Sequence, residues 1–423
     1  MLKLQYTLDN LKTKSFNTRT ALYLFCLVIL FWALFDGVVS YLVPIVITES
    51  GISKTLMGVI LGTSSIAGAL FDFLACRLFK NTYYKRFFMF MFAICLIVPF
   101  ILYRADSFVW FILAMILWGV YYDFKGMGIF NFVSNFTPAE KHTESFSLIQ
   151  VFLSLGYLIS PLIVGFLIAD SLNWKPFVLA WIFIGMAIIF FVILLLVTRN
   201  AQKFSQEEGH FLEAQVGIWH EALLWSKVGR ILFPVLLMTF LISLTDAFFW
   251  TVGPLIAEDL ISYMGDFSGL FMTMYVLPSL FVIFIVSFFT KRMGKKRIAV
   301  LAYFFGSVIL ICLAALSGSL FLFAAVFLAS LGISLASPAL NGAYADYISE
   351  TVEYEKEIEG LQDFYVNLGY VVGPMLAGFM ADRLGNLETF TLLGFVGGVC
   401  SLILLVAMPK AITVGKRMRE QSS

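Results

Sequence analysis

The chain alternates long apolar runs with short polar connections. The runs lie at residues 21–48, 55–77, 87–103, 107–134, 145–169, 177–198, 231–256, 267–290, 298–316, 319–345, 359–381 and 387–408. A helix that crosses a bilayer needs about 20 predominantly apolar residues, a length that the third and ninth runs barely approach. We therefore predict an all-α integral membrane protein with twelve transmembrane helices. The first run is too long for a signal-peptide core, so we expect it to be retained.

Lys and Arg residues lie mainly on one side of the predicted membrane. With the N-terminus inside, 23 of the 28 Lys and Arg residues fall in inner segments. The four outer ones are Lys54, Arg104, Lys175 and Arg383. Because basic residues favour the cytoplasmic side, this asymmetry predicts cytoplasmic N- and C-termini and a multi-pass location in a cell (inner) membrane.

Residues 199–230 separate the first six runs from the last six. In this stretch Phe211, Ile218 and Trp225 recur at helical spacing among polar residues. The spacing favours an amphipathic helix on the inner membrane surface, with a plain soluble linker as the alternative. We expect three segments: an N-terminal six-helix bundle, a cytoplasmic linker and a C-terminal six-helix bundle, at 1–198, 199–230 and 231–423.

The two halves of the chain repeat each other. Asp36 in the first run corresponds, 210 residues later, to Asp246 in the seventh. The fifth and eleventh runs align at an offset of 213 through the identical pairs Gly156/Gly369, Tyr157/Tyr370, Pro161/Pro374 and Gly165/Gly378. The repeat predicts two homologous bundles, related as parallel copies about an axis along the membrane normal.

Two six-helix halves joined by a long middle connection resemble the major facilitator superfamily of secondary transporters. Degraded copies of its loop signature lie between spans 2 and 3 and between spans 8 and 9. The matching positions are Lys80, Lys85, Arg86, Lys291, Arg292, Gly294 and Arg297. Lys80 and Lys291 stand where the family usually has aspartate, so its gating salt bridge is not carried over. Another register places Asp72 on that aspartate but leaves surplus residues before span 3.

Span 11 is similar to the proline–glycine motif of proton-coupled drug-efflux members of this superfamily. The matching residues are Gly360, Gly369, Gly373, Pro374 and Gly378, and span 5 carries a weaker copy in Gly156, Pro161 and Gly165. Small residues let helix backbones approach closely, and proline bends a helix. The resemblance implies helix-packing and gating roles for these positions. It places the chain nearest to the twelve-helix drug/proton antiporter branch.

Charged residues inside the spans are informative because only 13% of the chain is charged and 61% is hydrophobic. Each such charge costs about 2.5–3.5 kcal/mol at the membrane centre. Asp36 and Asp246 lie near mid-span, where a carboxyl group in a low-dielectric site can exchange protons near neutral pH. We predict that they couple transport to protons. The alternative is a packing role, with a hydrogen bond to a neighbour such as Ser243 or Thr245.

Three further charges, Asp72, Asp123 and Lys125, lie within predicted spans. Asp123 and Lys125 are about 200° apart around a helix, so at most one of them points squarely into a cavity. We predict proton-coupling roles for Asp123 and Asp72, and we predict that Lys125 is the charge partner of Asp36 or Asp72. A structural ion pair is the alternative for Asp123 and Lys125, and snorkelling is the alternative for Asp72.

Aromatic and amide side chains are candidates for a substrate cavity. The predicted lining residues are Trp32, Trp118, Tyr122, Trp250, Asn341 and Gln362. Rings beside acids suit an amphipathic or cationic organic solute. Packing and lipid contact are the alternative roles of the rings, since 17% of the chain is aromatic.

Several function classes are disfavoured by the sequence. A net charge of +1 excludes a strongly basic nucleic-acid binder. There is no Walker-type phosphate loop, the three His residues lie in predicted inner loops, and the five Cys residues lack metal-site spacing. We expect a monomer without metal, cofactor or enzymatic activity, whose partners are the lipid bilayer, protons and a small-molecule substrate.

These features together predict proton-coupled efflux of a small organic solute by antiport. One alternative is proton-coupled uptake of a nutrient such as a sugar, organic acid or nucleoside. Sugar cavities tend to show more Asn and Gln than these spans contain. A membrane enzyme or lipid-handling factor on a transporter scaffold is a third reading. The spans lack clusters of nucleophile, base or metal ligands that such an enzyme would need.

Overall fold

The computed structural model describes residues 2–78, 83–168, 172–198, 218–351 and 354–407, and the following statements concern these residues. They form fourteen α-helices joined by short turns. In chain order these are α1 (Leu2–Glu49), α2 (Lys54–Leu78), α3 (Tyr84–Arg104), α4 (Phe108–Phe136), α5 (His142–Ile168), α6 (Lys175–Val197), α7 (Ile218–Asp259), α8 (Ile261–Met264), α9 (Leu270–Val276), α10 (Pro278–Met293), α11 (Lys295–Ile311), α12 (Phe321–Glu350), α13 (Glu355–Leu384) and α14 (Asn386–Ala407).

Ten of these helices are long and apolar enough to cross a membrane. Residues 270–293, which contain α9 and α10, make an eleventh span whose two parts are bent by 64°. The remaining span is the helix α11, which has only 17 residues. It corresponds to the ninth apolar run, which is barely long enough to cross a membrane. The predicted twelve-helix, all-α fold is confirmed.

Two helices begin earlier than the hydropathy predicts. The helix α1 begins at Leu2, so the polar residues before the first run continue the same helix. The helix α7 begins at Ile218, which joins the last part of the predicted linker to the seventh span without a break. Residues 199–217, including Phe211 of the predicted amphipathic helix, lie outside the described residues.

The chain divides into two compact units. Unit 1 comprises Met1–Val46 and Ile66–His210, and unit 2 comprises Ile47–Ser65 and Phe211–Ser423. The first part of α2 therefore packs within unit 2, and the rest of α2 packs within unit 1. The six-helix division at 198 and 231 remains a prediction.

Aromatic side chains fill the interior of unit 1. The Phe25 and Phe132 rings stack at a centroid distance of 3.9 Å, and Phe88 and Tyr84 meet these two rings edge-on. Such ring pairs add stability beyond the apolar area that they bury. Much of the high aromatic content of unit 1 therefore serves packing.

Glycines bring equivalent helices together in the two units. A methyl group placed on Gly156 of α5 would lie 2.5 Å from the Ala33 Cβ of α1. On Gly369 of α13 it would lie 2.6 Å from the Ser243 Cβ of α7. Ala33 and Ser243 are themselves 210 residues apart. The same helix contact is therefore present in both copies of the repeat. At this contact a residue larger than glycine would force the neighbouring atoms to move.

The helix α13 also packs against the first part of α2 through glycines. A methyl group on Gly58 would overlap the Pro374 carbonyl oxygen, and one on Gly378 would overlap the Lys54 carbonyl oxygen. One turn further along α2, Gly62 faces the Val371 carbonyl in the same way. Backbone therefore meets backbone along this contact of unit 2.

Candidate functional site

Asp36 lies in the interior of unit 1 as an acceptor for two tyrosines. Its carboxylate, on α1, is 2% exposed. Tyr121 of α4 and Tyr157 of α5 each donate a hydrogen bond to it at 2.5 Å. The indole of Trp118 lies near this carboxylate, and Lys125 interacts with it electrostatically. Asp36 is thus a hydrogen-bonded acid that joins three helices.

Asp246 occupies the corresponding place in unit 2. Its side chain, on α7, is partly accessible and accepts hydrogen bonds from Tyr275 of α9 and from Tyr370 of α13, the latter at 2.6 Å. The predicted alternative partners are used elsewhere. Thr245 pairs with Tyr303 at 2.8 Å, and Ser243 packs against Gly369. The neighbours of Asp246 are therefore tyrosines.

One tyrosine of each pair is part of the internal repeat. Tyr157 and Tyr370 are 213 residues apart and each follows a glycine of the helix contact, Gly156 or Gly369. Both identities are visible in the sequence, but the bond between acid and tyrosine is not. A repeated polar residue beside a repeated packing glycine is the signal that could have revealed it.

The two sites differ in their remaining partners. The second tyrosine comes from α4 in unit 1 and from α9 in unit 2, helices that do not correspond in the repeat. A cation, Lys125, acts on Asp36, whereas among the described residues none acts on Asp246. The two carboxylates occupy corresponding positions in the repeat, but their electrostatic environments differ.

Lys125 lies against aromatic rings and forms no ion pair within the part of the chain that the structure describes. Its residue is 7% exposed, and its ammonium lies 3.5 Å from the Tyr122 ring centroid and 4.9 Å from that of Trp32. It acts at longer range on Asp36 and Asp123. Its nearest contacts are thus cation–π contacts, and its role as the charge partner of Asp36 or Asp72 remains a prediction.

Asp123 and Asp72 lie near each other in unit 1. Asp123, on α4, is half-buried, and its Oδ2 faces Gly68 of α2, where an added methyl group would come within 2.9 Å. Asp72, also on α2, is exposed and interacts electrostatically with Asp123. These two acids, Asp36 and Lys125 form one electrostatic group. The proton-coupling roles of Asp123 and Asp72 remain predictions.

The predicted cavity residues occupy different environments. Trp32 is fully buried, Tyr122 is 42% exposed, and Trp118 and Trp250 are partly accessible. The structure brings Asn341 of α12 and Gln362 of α13 together, with the Gln362 amide donating to the Asn341 oxygen at 3.0 Å. Trp32 and Tyr122 meet around Lys125, whereas the amide pair belongs to unit 2.

The loop motifs lie at helix ends. Lys85 and Arg86 begin α3, Lys291 and Arg292 end α10, and Arg297 lies in the first turn of α11. Gly294 separates α10 from α11 with φ of +84°, a conformation that favours glycine. Lys80 lies outside the described residues. A contact that sequence reasoning missed is the exposed ion pair between Lys295 and Asp346, at 2.5 Å.

The sequence profile of the Major Facilitator Superfamily matches the chain twice, over residues 24–251 and 235–421. The chain belongs to this superfamily. The protein is therefore a multi-pass membrane transporter, as the paired bundles and the motifs predicted.

Two relatives are named for drug resistance. Quinolone resistance protein NorA of Staphylococcus aureus (strain MSSA476) is 21% identical over 257 residues, which are 60% of this chain and 62% of NorA. Multidrug resistance protein 2 of Bacillus subtilis (strain 168) is 23% identical over 292 residues, 68% of this chain and 70% of the relative. The match spans less than two thirds of NorA. Both names agree with the resemblance to the drug/proton antiporter branch.

Solved structures of other transporters share the fold. A POT family transporter in complex with 5-aminolevulinic acid has a TM-score of 0.71 at 14% identity, covering 92% of this chain and 96% of its own. The nucleoside transporter NupG has a TM-score of 0.65 at 14% identity, with 92% and 98% covered. A bacterial homolog of the human lysosomal transporter Spinster has a TM-score of 0.64 at 14% identity, covering 96% of this chain and 97% of its own. At these identities the likeness shows the fold alone.

Proposed function

We propose that this transporter exports a small organic solute in exchange for protons. The observation that carries the proposal is the repeated pair of an intramembrane aspartate and a tyrosine, Asp36 with Tyr157 and Asp246 with Tyr370. Acidic residues within spans are costly and mark proton or ion pathways in transporters. The drug-resistance names of the two relatives support an organic solute and the export direction.

Protonation would change the link between helices at each aspartate. An ionised carboxylate only accepts hydrogen bonds, whereas a protonated one carries a donor of its own. Asp246 accepts from Tyr275 at one oxygen and from Tyr370 at the other, so an added proton weakens or reverses the bond at the oxygen that it occupies. Among the described residues no cation balances the negative charge of Asp246. The protonation of Asp246 is therefore more sensitive to its surroundings than that of Asp36.

The site in unit 2 is joined to a close helix contact. Tyr370 lies on α13 near Gly373, which packs against Ala247 of α7. The same helix meets α2 at Gly378 and Gly58. A proton-dependent change at Tyr370 would therefore act on a helix that glycines allow to shift against both neighbours, as alternating access requires.

The test is flux driven by an imposed pH gradient. Purified protein is reconstituted into proteoliposomes, and a quinolone is the first probe because of the NorA relationship. Asp36→Asn and Asp246→Asn should each reduce gradient-driven flux at least about tenfold, corresponding to about 1.4 kcal/mol, while Asp246→Asn keeps counterflow without a gradient. Asp346→Asn removes an exposed acid outside the site and is the matched control. Full gradient-driven flux in both site variants would overturn the proposal.

Uptake of a polar nutrient by proton symport is the second candidate. The observation that favours it is the amide pair of Asn341 and Gln362, since amides hydrogen-bond sugars and nucleosides. Flux in right-side-out and everted vesicles distinguishes the directions. We also propose a monomer in the inner membrane with both termini in the cytoplasm, which a terminal tag accessible only in everted vesicles would support.

A further inference from the structure

Lys125 is a buried cation in an aromatic setting. Its ammonium lies 3.5 Å from the ring centroid of Tyr122 and 4.9 Å from that of Trp32, and the two centroids are 5.9 Å apart. Among the described residues no carboxylate oxygen lies within 4.0 Å of it, and none accepts a hydrogen bond from it. A buried ammonium normally has a close anion or several acceptors. Among the described residues, ring faces and more distant charges are therefore what stabilises this cation.

Ring faces arranged in this way are how proteins recognise ammonium ligands. A cation within about 6 Å of a ring centroid is attracted by the electrons of the ring, more strongly when water is excluded. Trp32 is fully buried, whereas Tyr122 is 42% exposed, so the side of the site next to Tyr122 is the less enclosed one. The ammonium of Lys125 thus occupies a position that an ammonium group of a ligand could take.

The charges around the site favour a cation over an anion. Asp36 and Asp123 both interact with Lys125, and Asp72 interacts with Asp123. Two acidic groups therefore act on Lys125, and a third acts on one of these two. A carboxylate ligand approaching Lys125 would meet the field of these acids, whereas an amine would be attracted by it.

We infer that Lys125 is a tethered occupant of an organic-cation subsite formed by Trp32, Tyr122 and the neighbouring acids, and that the ammonium group of an amphipathic amine displaces it. The role of this subsite in transport rests on the proposed function, whereas the binding of an amine at the subsite does not. Displacement would free the lysine side chain to move toward Asp36 or Asp123. Lys125 would then compete with the substrate and limit its affinity.

The test is chemical rescue of the emptied subsite. Purified Lys125→Ala protein in detergent and an amine-free buffer is titrated with n-butylammonium, and binding is followed by the shift in unfolding temperature. The amine should bind Lys125→Ala at least about tenfold tighter than it binds the wild type. Lys125→Arg, which keeps a cation in place, should behave as the wild type does. The neutral n-butanol and the anionic butyrate control for apolar contact and for charge.

A second variant shows whether the rings provide the affinity. Adding Tyr122→Leu to Lys125→Ala should remove most of the gain in amine binding. If Lys125→Ala folds poorly alone, recovery of a monodisperse protein during purification with n-butylammonium, but not with n-butanol, supports the proposal. Equal binding of amine and alcohol by Lys125→Ala would overturn it. Butyrate binding by the wild type that Lys125→Ala loses would overturn it too, in favour of an anion site. No pH gradient enters this assay, so its failure is distinct from a failure of proton coupling.

Discussion

Tyr370 donates a hydrogen bond to Asp246 across 2.6 Å, and the same pair of residue types recurs in the other half of the chain. There Tyr157 donates to Asp36 at 2.5 Å. The partners lie on α1 and α5 in one half and on α7 and α13 in the other. Each bond lies beside the glycine contact between the same two helices. A polar bond and an apolar contact thus form one repeated unit.

The tyrosines are predicted to be necessary for gradient-driven flux. Tyr157→Phe and Tyr370→Phe each remove one hydrogen bond to a carboxylate, of a kind that contributes about 1.5–3 kcal/mol. We expect at least about tenfold slower flux in proteoliposomes. The matched control is Tyr303→Phe, which removes a hydroxyl bonded to Thr245 instead. It should lower stability by about 1 kcal/mol and leave most of the flux. Equal flux in all three variants would contradict this prediction.

The contact between α2 and α13 is predicted to tolerate no added methyl group. Gly378→Ala would overlap the Lys54 carbonyl oxygen, so transport should fall severalfold or the protein should lose stability by about 1–3 kcal/mol. Gly185→Ala, on α6, is the control because its added methyl group has open space. It should be neutral or stabilising by up to about 1 kcal/mol. Flux and elution on size exclusion distinguish the two variants, and normal behaviour of Gly378→Ala would refute the close contact.

Asp382 caps the first turn of α2 from the end of α13. Its carboxylate accepts from the backbone N–H groups of Lys54 and Thr55, at 3.1 and 2.7 Å, and from the Thr55 hydroxyl at 2.5 Å. Removal of a cap costs about 0.5–2 kcal/mol. Asp382→Ala should therefore loosen this contact of unit 2 and speed labelling of a cysteine at Ser53 by an impermeant maleimide. Asp106→Ala, an exposed acid in another loop, is the control. Unchanged labelling in Asp382→Ala would argue against a role of the cap in holding α2.

The ion pair of Lys295 and Asp346 is predicted to contribute little. Both side chains are substantially exposed, at 39% and 56%, so water screens their attraction. Asp346→Asn should lower stability by less than about 1 kcal/mol and leave transport unchanged. Thermal unfolding at low and high salt measures this. A large, salt-insensitive loss would show that the pair is part of a structural network.

The span pattern and the location of the two aspartates could be predicted because both depend on properties local in sequence. Apolar run length and the placement of Lys and Arg determine which segments cross the membrane. An acid repeated at Asp36 and Asp246 is visible in an alignment of the halves. These features need no knowledge of how one helix is rotated against another.

The partners of the aspartates could not be predicted because they depend on that rotation. Tyr121 and Tyr275 reach their acids from helices with no corresponding role in the repeat. Lys125 turns toward Tyr122 and Trp32 instead of an acid, an outcome decided by side chains from two helices. The bend of 64° between residues 270–282 and 284–293 is also a tertiary feature.

The use of α4 in one half and α9 in the other for the second tyrosine has an evolutionary consequence. The second donors come from helices that do not correspond, so the surroundings of the two acids have diverged beyond the repeat. A substitution near Tyr121 can alter the first acid while the second keeps its own donor, and a substitution near Tyr275 can do the reverse. Duplication followed by this divergence leaves the lineage two acids that selection can adjust one at a time.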